Sequence, residues 1–147
     1  MTETEMYFNF LLHVAAADDD LDVDEVEFLQ TSLLAVGASD EITQSIMTKI
    51  DLVKNNKPLE GFQELVQSLK SSKNPSLVMT LIRDGYMLSA SDGEVVAAEL
   101  SLIKEVFMSF DGATEDLFIG AIKWAKNSLE LKVQGEEIYA ALTETKG

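Results

Sequence analysis

An all-α fold is predicted by three features of this 147-residue chain. Apolar residues recur at helical spacing nearly throughout, no segment alternates apolar and polar residues as a half-buried strand would, and the two prolines stand where helices can begin. With 46% apolar residues, a chain of this length can bury about two-thirds of its unfolded surface, so one domain over 1–147 of about seven to eight helices is expected.

The first helix is expected near 3–17, with Tyr7, Phe10, Leu11 and Val14 on one face. The second, near 23–36, sets Val26, Leu29, Leu33 and Val36 along its core face, and Asp22 and Glu25 have the spacing of a capping box at its start. Gly37 then reads as a helix stop and Ser39 as the cap of a third helix near 40–53, with acids in its first turn. Pro58 suggests the start of a fourth helix near 58–71, and Asn74 with Pro75 the cap and first residue of a fifth near 75–90. Leu100, Ile103, Phe107 and Phe110 define a sixth near 97–110, followed by helices near 115–127 and 134–144. Trp124 and the phenylalanines fall at core spacing. The single histidine, His13, reads as a packed or partly exposed helix position rather than a ligand. Lys54, Lys57, Lys70 and Lys73 read as solvated loop and helix-end residues; the alternative is a patch complementary to another acidic copy.

The sequence also repeats itself. Shifted by 74 residues, Asp18 falls on Asp92, Leu21 on Val95, Glu25 on Glu99, Val26 on Leu100, Leu29 on Ile103, Leu33 on Phe107 and Val36 on Phe110, while His13 falls on Met87. One inserted residue later, GASDEI at 37–42 overlies GATEDL at 112–117, with Thr114 in the place of the Ser39 cap. Two helical units, about 1–73 and 74–147, related by approximate two-fold symmetry are therefore expected. In the second copy Gly93 follows Asp92 and suits a tight reversal of positive φ; in the first copy Asp19 takes that place.

Charge is distributed unevenly. The net charge is −15, and the first 48 residues hold eleven acids without a Lys or Arg. Such a surface repels phosphate backbones, which disfavours nucleic acid as a partner and favours cations or basic protein surfaces. The absence of cysteine excludes thiolate metal sites and a cysteine nucleophile and fits a cytoplasmic setting, and no apolar run is long enough for membrane insertion. Seven of the ten residues from Asp18 to Glu27 are acidic. A cap needs one or two of them, at about 1 kcal/mol each, whereas neighbouring like charges at ~4 Å repel by about 1 kcal/mol per pair even in water. Asp18, Asp20 and Asp22 imitate the first ligands of an EF-hand, but Val23 and Leu29 stand where its glycine and bidentate glutamate belong. Two readings stay open: capping plus solvation, or a looser oxygen site for Ca²⁺, Mg²⁺ or Mn²⁺ built from Asp18, Asp20, Asp22 and Glu25, with Asp92, Glu94 and Glu99 as the counterpart. No glycine-rich phosphate loop, zinc helix or serine beside a usable histidine is present, so a non-enzymatic protein is expected.

Ala17-Asp18 with Glu25, and Ser91-Asp92-Gly93-Glu94-Val95 with Glu99, resemble the repeated Ala-Asp-Gly turn and following glutamate of the TerB-like family of tellurite-resistance proteins. That family also includes the cytosolic domain of a DnaJ-like cochaperone. Asp19 and Ser91 depart from its pattern, standing where glycine and alanine are expected. The resemblance implies two pseudo-symmetric helical units, a bacterial cytoplasmic setting, a role in tellurite or wider chemical stress, and an acidic, metal-binding surface that includes Asp18, Glu25, Asp92 and Glu99. A module that takes a divalent cation and presents a helical surface to a protein partner is one expectation. A metal-free acidic interaction scaffold or cochaperone-type domain is the other, and both leave room for a homo-oligomer.

Overall fold

One helix is apolar around almost its whole circumference, and the others are arranged about it. The computed structural model describes residues 1–17, 21–90 and 97–144, and among them are seven helices and no strand. These are α1 (Glu3–Ala15), α2 (Val23–Ala35), α3 (Asp40–Lys54), α4 (Phe62–Ser72), α5 (Pro75–Ser89), α6 (Ala97–Met108) and α7 (Glu115–Glu144). Every residue of α1 from Phe8 to Ala15 is buried, which is the behaviour of a helix with no polar face to turn to water. It packs against α2, α3, α4, α5 and α6. Its own Phe8, Phe10, Leu11 and Leu12 join Leu29, Ile50, Leu69, Leu81, Ile82 and Ile103 of the other helices in one core. Helix α5 is the second hub, joining α1 to α6 and, most extensively, to α7.

The α1–α5 contact fixes the directions of the remaining elements. Near the two helix starts Asn74 Nδ2 donates to Glu3 Oε1 at 2.8 Å; further along Tyr7 donates from its hydroxyl to Asp84 Oδ2 at 2.5 Å; and Phe10 lies over Gly85. The contacts advance in the same sense on both helices, so α1 and α5 run side by side and parallel. Their C-terminal residues Ala15 and Ser89 therefore lie at one end of the pair, and from that end the chain continues toward α2 and α6.

Local sequence signals account for most helix ends. Asp22 and Glu25 form the expected reciprocal capping box: Glu25 N–H donates to Asp22 Oδ1 at 2.8 Å, and Asp22 N–H donates to Glu25 Oε1 at 3.2 Å. Ser39, Asn74 and Thr114 each accept a hydrogen bond from the backbone three residues on. Gly37 and Gly112, with φ of 64° and 85°, supply the left-handed residue that ends α2 and follows α6.

Four expectations are corrected. Pro58 does not begin α4, which starts at Phe62 behind Gly61 at φ 95°; Pro58 belongs to the connection. The helices expected near 115–127 and 134–144 are one helix, α7. The core periodicity fades and Gly135 intervenes, but 128–134 consists largely of good helix formers, and propagation needs no buried face. Val36 and Trp124 lie at core spacing yet are exposed, because Val36 is already the C-cap of α2 and Trp124 lies away from the face of α7 that carries Phe118, Ala121 and Ala125. Phe28 is exposed for the same reason on α2, whose core face carries Val26, Leu29 and Leu33.

Gly85 permits the close approach of α1 and α5. A Cβ there would come within 2.9 Å of Phe10 Cε1, and Phe10 is fully buried. Gly85→Ala is expected to gain about 1 kcal/mol of helix propensity but to incur about 1–3 kcal/mol of overpacking. Urea denaturation should register a net loss of about 1 kcal/mol; a more stable variant would mean that the ring moves aside freely.

Candidate functional site

The end of the molecule where α1 and α5 finish gathers the chemistry. Glu25 and Glu99 stand in the first turns of α2 and α6, and both are buried, 7% and 4% exposed. A carboxylate is almost never so buried unless its charge is compensated. For Glu25 part of the compensation is the capping box with Asp22, which is itself half-buried. The N-terminal position on each helix adds the favourable end of the macrodipole. Ser89, the last residue of α5, is 2% exposed, and among the described residues its hydroxyl has no hydrogen-bond partner. Of the residues nominated as cation ligands, Asp22, Glu25 and Glu99 are thus set on the starts of α2 and α6, the helices that follow α1 and α5. Asp18, Asp20, Asp92 and Glu94, with Asp19 and Gly93, lie outside the described residues. Among the described residues, no three His, Asp or Glu side chains form a group that could hold a metal ion. The donors in question are all oxygens, which suits a hard cation such as Ca²⁺, Mg²⁺ or Mn²⁺.

Beside this end opens a cleft of about 710 Å³, bordered by His13, Ala16 and Ala17 on one side and by Asn56, Phe62 and Leu102 on the other. His13 is 8% exposed and packs against Phe62, ring centroids 5.2 Å apart. Burial, and secondarily the positive charge of Lys49, push its pKa down to about 4. The imidazole is therefore neutral at physiological pH and a weak base, in keeping with a packed position.

Two polar contacts within the bundle carry no obvious sequence signature. Asn9, one turn before His13, is buried; its amide donates to Glu5 O at 2.7 Å while its Oδ1 accepts from Lys49 Nζ, so one side chain ties α1 to α3. Its only trace in sequence is a lone asparagine in the run YFNFLLHV. Tyr7, Asp84 and Arg83 form the other: Asp84 accepts from the Tyr7 hydroxyl and, at 3.0 Å, from Arg83 Nε. Burial, then the bond to Asp84, raises the Tyr7 pKa well above its ordinary value, so the hydroxyl stays a donor. Lys54, Lys57, Lys70 and Lys73 are all exposed.

Residues 4–117 match the family model described as tellurite resistance protein TerB. No curated protein and no solved structure matches the chain.

The single histidine allows a clean pH test. Its folded pKa lies below the unfolded value of about 6.5, so the unfolded chain binds the extra proton between those values, and stability falls as pH drops through that window. From pH 7 to pH 5 the His13 contribution is about 2 kcal/mol. The imidazole resonances should titrate near 4 by NMR, and His13→Gln should flatten the stability profile by that amount relative to wild type. A titration midpoint near 6.5 would mean an accessible, solvated ring.

Proposed function

The chain belongs to the TerB family of tellurite-resistance proteins, and we propose that it is a non-enzymatic binding module of that resistance system, which takes a divalent cation at its two acidic helix starts and presents a helical surface to a protein partner. The observation that carries this reading is the burial of Glu25 and Glu99 at the end shared by α1 and α5. Both glutamates have contacts within the protein, and a positive charge joining the dense run of neighbouring acids would lower their mutual repulsion further. Asp18, Asp20, Asp22 and Glu25 would supply one oxygen set, and Asp92, Glu94 and Glu99 the other. A hard cation held there would offset the repulsion and order the helix starts. His13, neutral and packed against Phe62, has the environment of a core side chain. Among the described residues no helix is long and apolar enough to cross a membrane.

The satisfied capping box favours a second reading. It explains Asp22 and Glu25 without any ligand, in which case the acids steer a basic partner toward a metal-free docking face. The two readings separate at Glu25→Gln, because glutamine keeps the reciprocal cap but loses the charge.

Calorimetric titration of chelator-stripped protein with Ca²⁺, Mg²⁺ and Mn²⁺ tests the proposal. Saturable binding in the micromolar range is expected, weakened at least about tenfold by Glu25→Gln and by Glu99→Gln and lost in Asp18→Asn or Asp92→Asn. Absence of binding up to millimolar cation, or binding indifferent to all four substitutions, would overturn the cation reading and leave the metal-free scaffold.

A further inference from the structure

Helix α7 extends past the bundle. Its 30 residues span about 45 Å, and every residue from Glu130 to Glu144 is exposed. Leu117, Trp124, Leu131 and Ile138 stand on it at seven-residue intervals, 57%, 39%, 68% and 56% exposed. Scattered apolar residues on a surface are ordinary, but four in a row at the coiled-coil repeat form one continuous stripe, because the drift is only about 20° per heptad. Ser128 and Gly135, each four residues after a stripe residue, are small and leave hollows between the large side chains. The family match ends at residue 117, so this stripe lies almost wholly beyond the matched region.

We infer that α7 pairs antiparallel with α7 of a second copy, with the two-fold axis at Leu131. Three considerations select this occupant. The first is area: a helix of this length and ~12 Å diameter that covers a third of its circumference buries on the order of 550 Å² per copy, or about 1,100 Å² for the pair. That just clears the ~1,000 Å² expected of a specific interface and points to a dimer of micromolar affinity. The second is the chain's net charge of −15. A parallel pair would lay two acidic bodies side by side, whereas an antiparallel pair sets them at opposite ends of the seam, several Debye lengths of ~8–10 Å apart. The third is complementarity along the seam. With the axis at Leu131, Trp124 lies level with Ile138 of the other copy, and Lys123 on the flank falls within one helical turn of Glu137 there. The exposed half of each α7 thus covers the bundle-anchored half of the other. This inference is independent of the cation reading.

Sedimentation of the full chain over about 1–200 μM tests the pairing, and a cysteine-free sequence makes crosslinking a direct probe of its register. A reversible monomer–dimer equilibrium is expected, little changed by raising salt above physiological strength and weakened at about 0.01 M, where a Debye length of ~30 Å lets the acidic bodies repel. Leu131→Glu should abolish it with circular dichroism unchanged, since the residue makes little contact within its own copy. Leu131→Cys should crosslink to itself under mild oxidation at least about tenfold faster than Trp124→Cys, Ile138→Cys or the outward Lys126→Cys alone, while Trp124→Cys mixed with Ile138→Cys should crosslink to each other. A monomer at the highest concentration would overturn the inference and assign the stripe to a different protein. A dimer indifferent to Leu131→Glu, or equal crosslinking at position 126, would overturn it as well.

Discussion

The contact between Phe10 and Gly85 is the constraint on which the other features depend. Because residue 85 has no Cβ, the buried ring of Phe10 can lie against the α5 backbone, and two helices far apart in sequence run close and parallel. The polar contacts toward the helix starts, Tyr7 with Asp84 and then Glu3 with Asn74, then fall into register. Parallel rather than antiparallel packing has one direct consequence. The chain leaves α1 and α5 at the same end of the pair for the two helices that begin with a buried glutamate, Glu25 and Glu99.

Managing those two buried carboxylates is the central physical problem of the protein. A solvated acid costs little, and an acid in a cap contributes about 1 kcal/mol, but a buried carboxylate needs more than one backbone hydrogen bond to offset its lost hydration. Asp22 illustrates the division of labour, since its side chain closes the capping box and thereby holds Glu25 in its buried position. In this picture capping and ligation are not rivals. The cap fixes where one carboxylate oxygen of Glu25 points, and a cation at the helix start would add to the contacts the group already makes.

Much of the fold was legible in the sequence because its signals are local. The caps at Asp22, Ser39, Asn74 and Thr114 and the glycines at 37 and 112 need only their immediate neighbours to act, and each operates as its spacing implies. The misread elements lacked such signals or carried conflicting ones. Pro58 is compatible with a helix start and also with a loop, and Gly61, not the proline, sets the boundary of α4. The break expected inside α7 rested on a fading core pattern, yet a helix continues on backbone hydrogen bonds after its apolar face has left the core. At the site, the shift of 74 residues paired Glu25 with Glu99, but the parallel α1–α5 contact, which rests on a missing methyl group at Gly85, is not legible in that alignment. The Asn9–Lys49 and Tyr7–Asp84 bonds were invisible for a similar reason: each joins side chains whose proximity exists only after packing.

The most direct test of this account is paramagnetic broadening of amide resonances by Mn²⁺ in the full, ¹⁵N-labelled chain. Amides in the first turns of α2 and α6 should broaden together over the same Mn²⁺ range, while those near Asp40 and Glu41, at the start of α3, and near Glu136 and Glu137, on the exposed part of α7, stay sharp. Broadening spread over all acidic surfaces in proportion to their charge, or confined to one of the two helix starts, would contradict a shared cation-binding end.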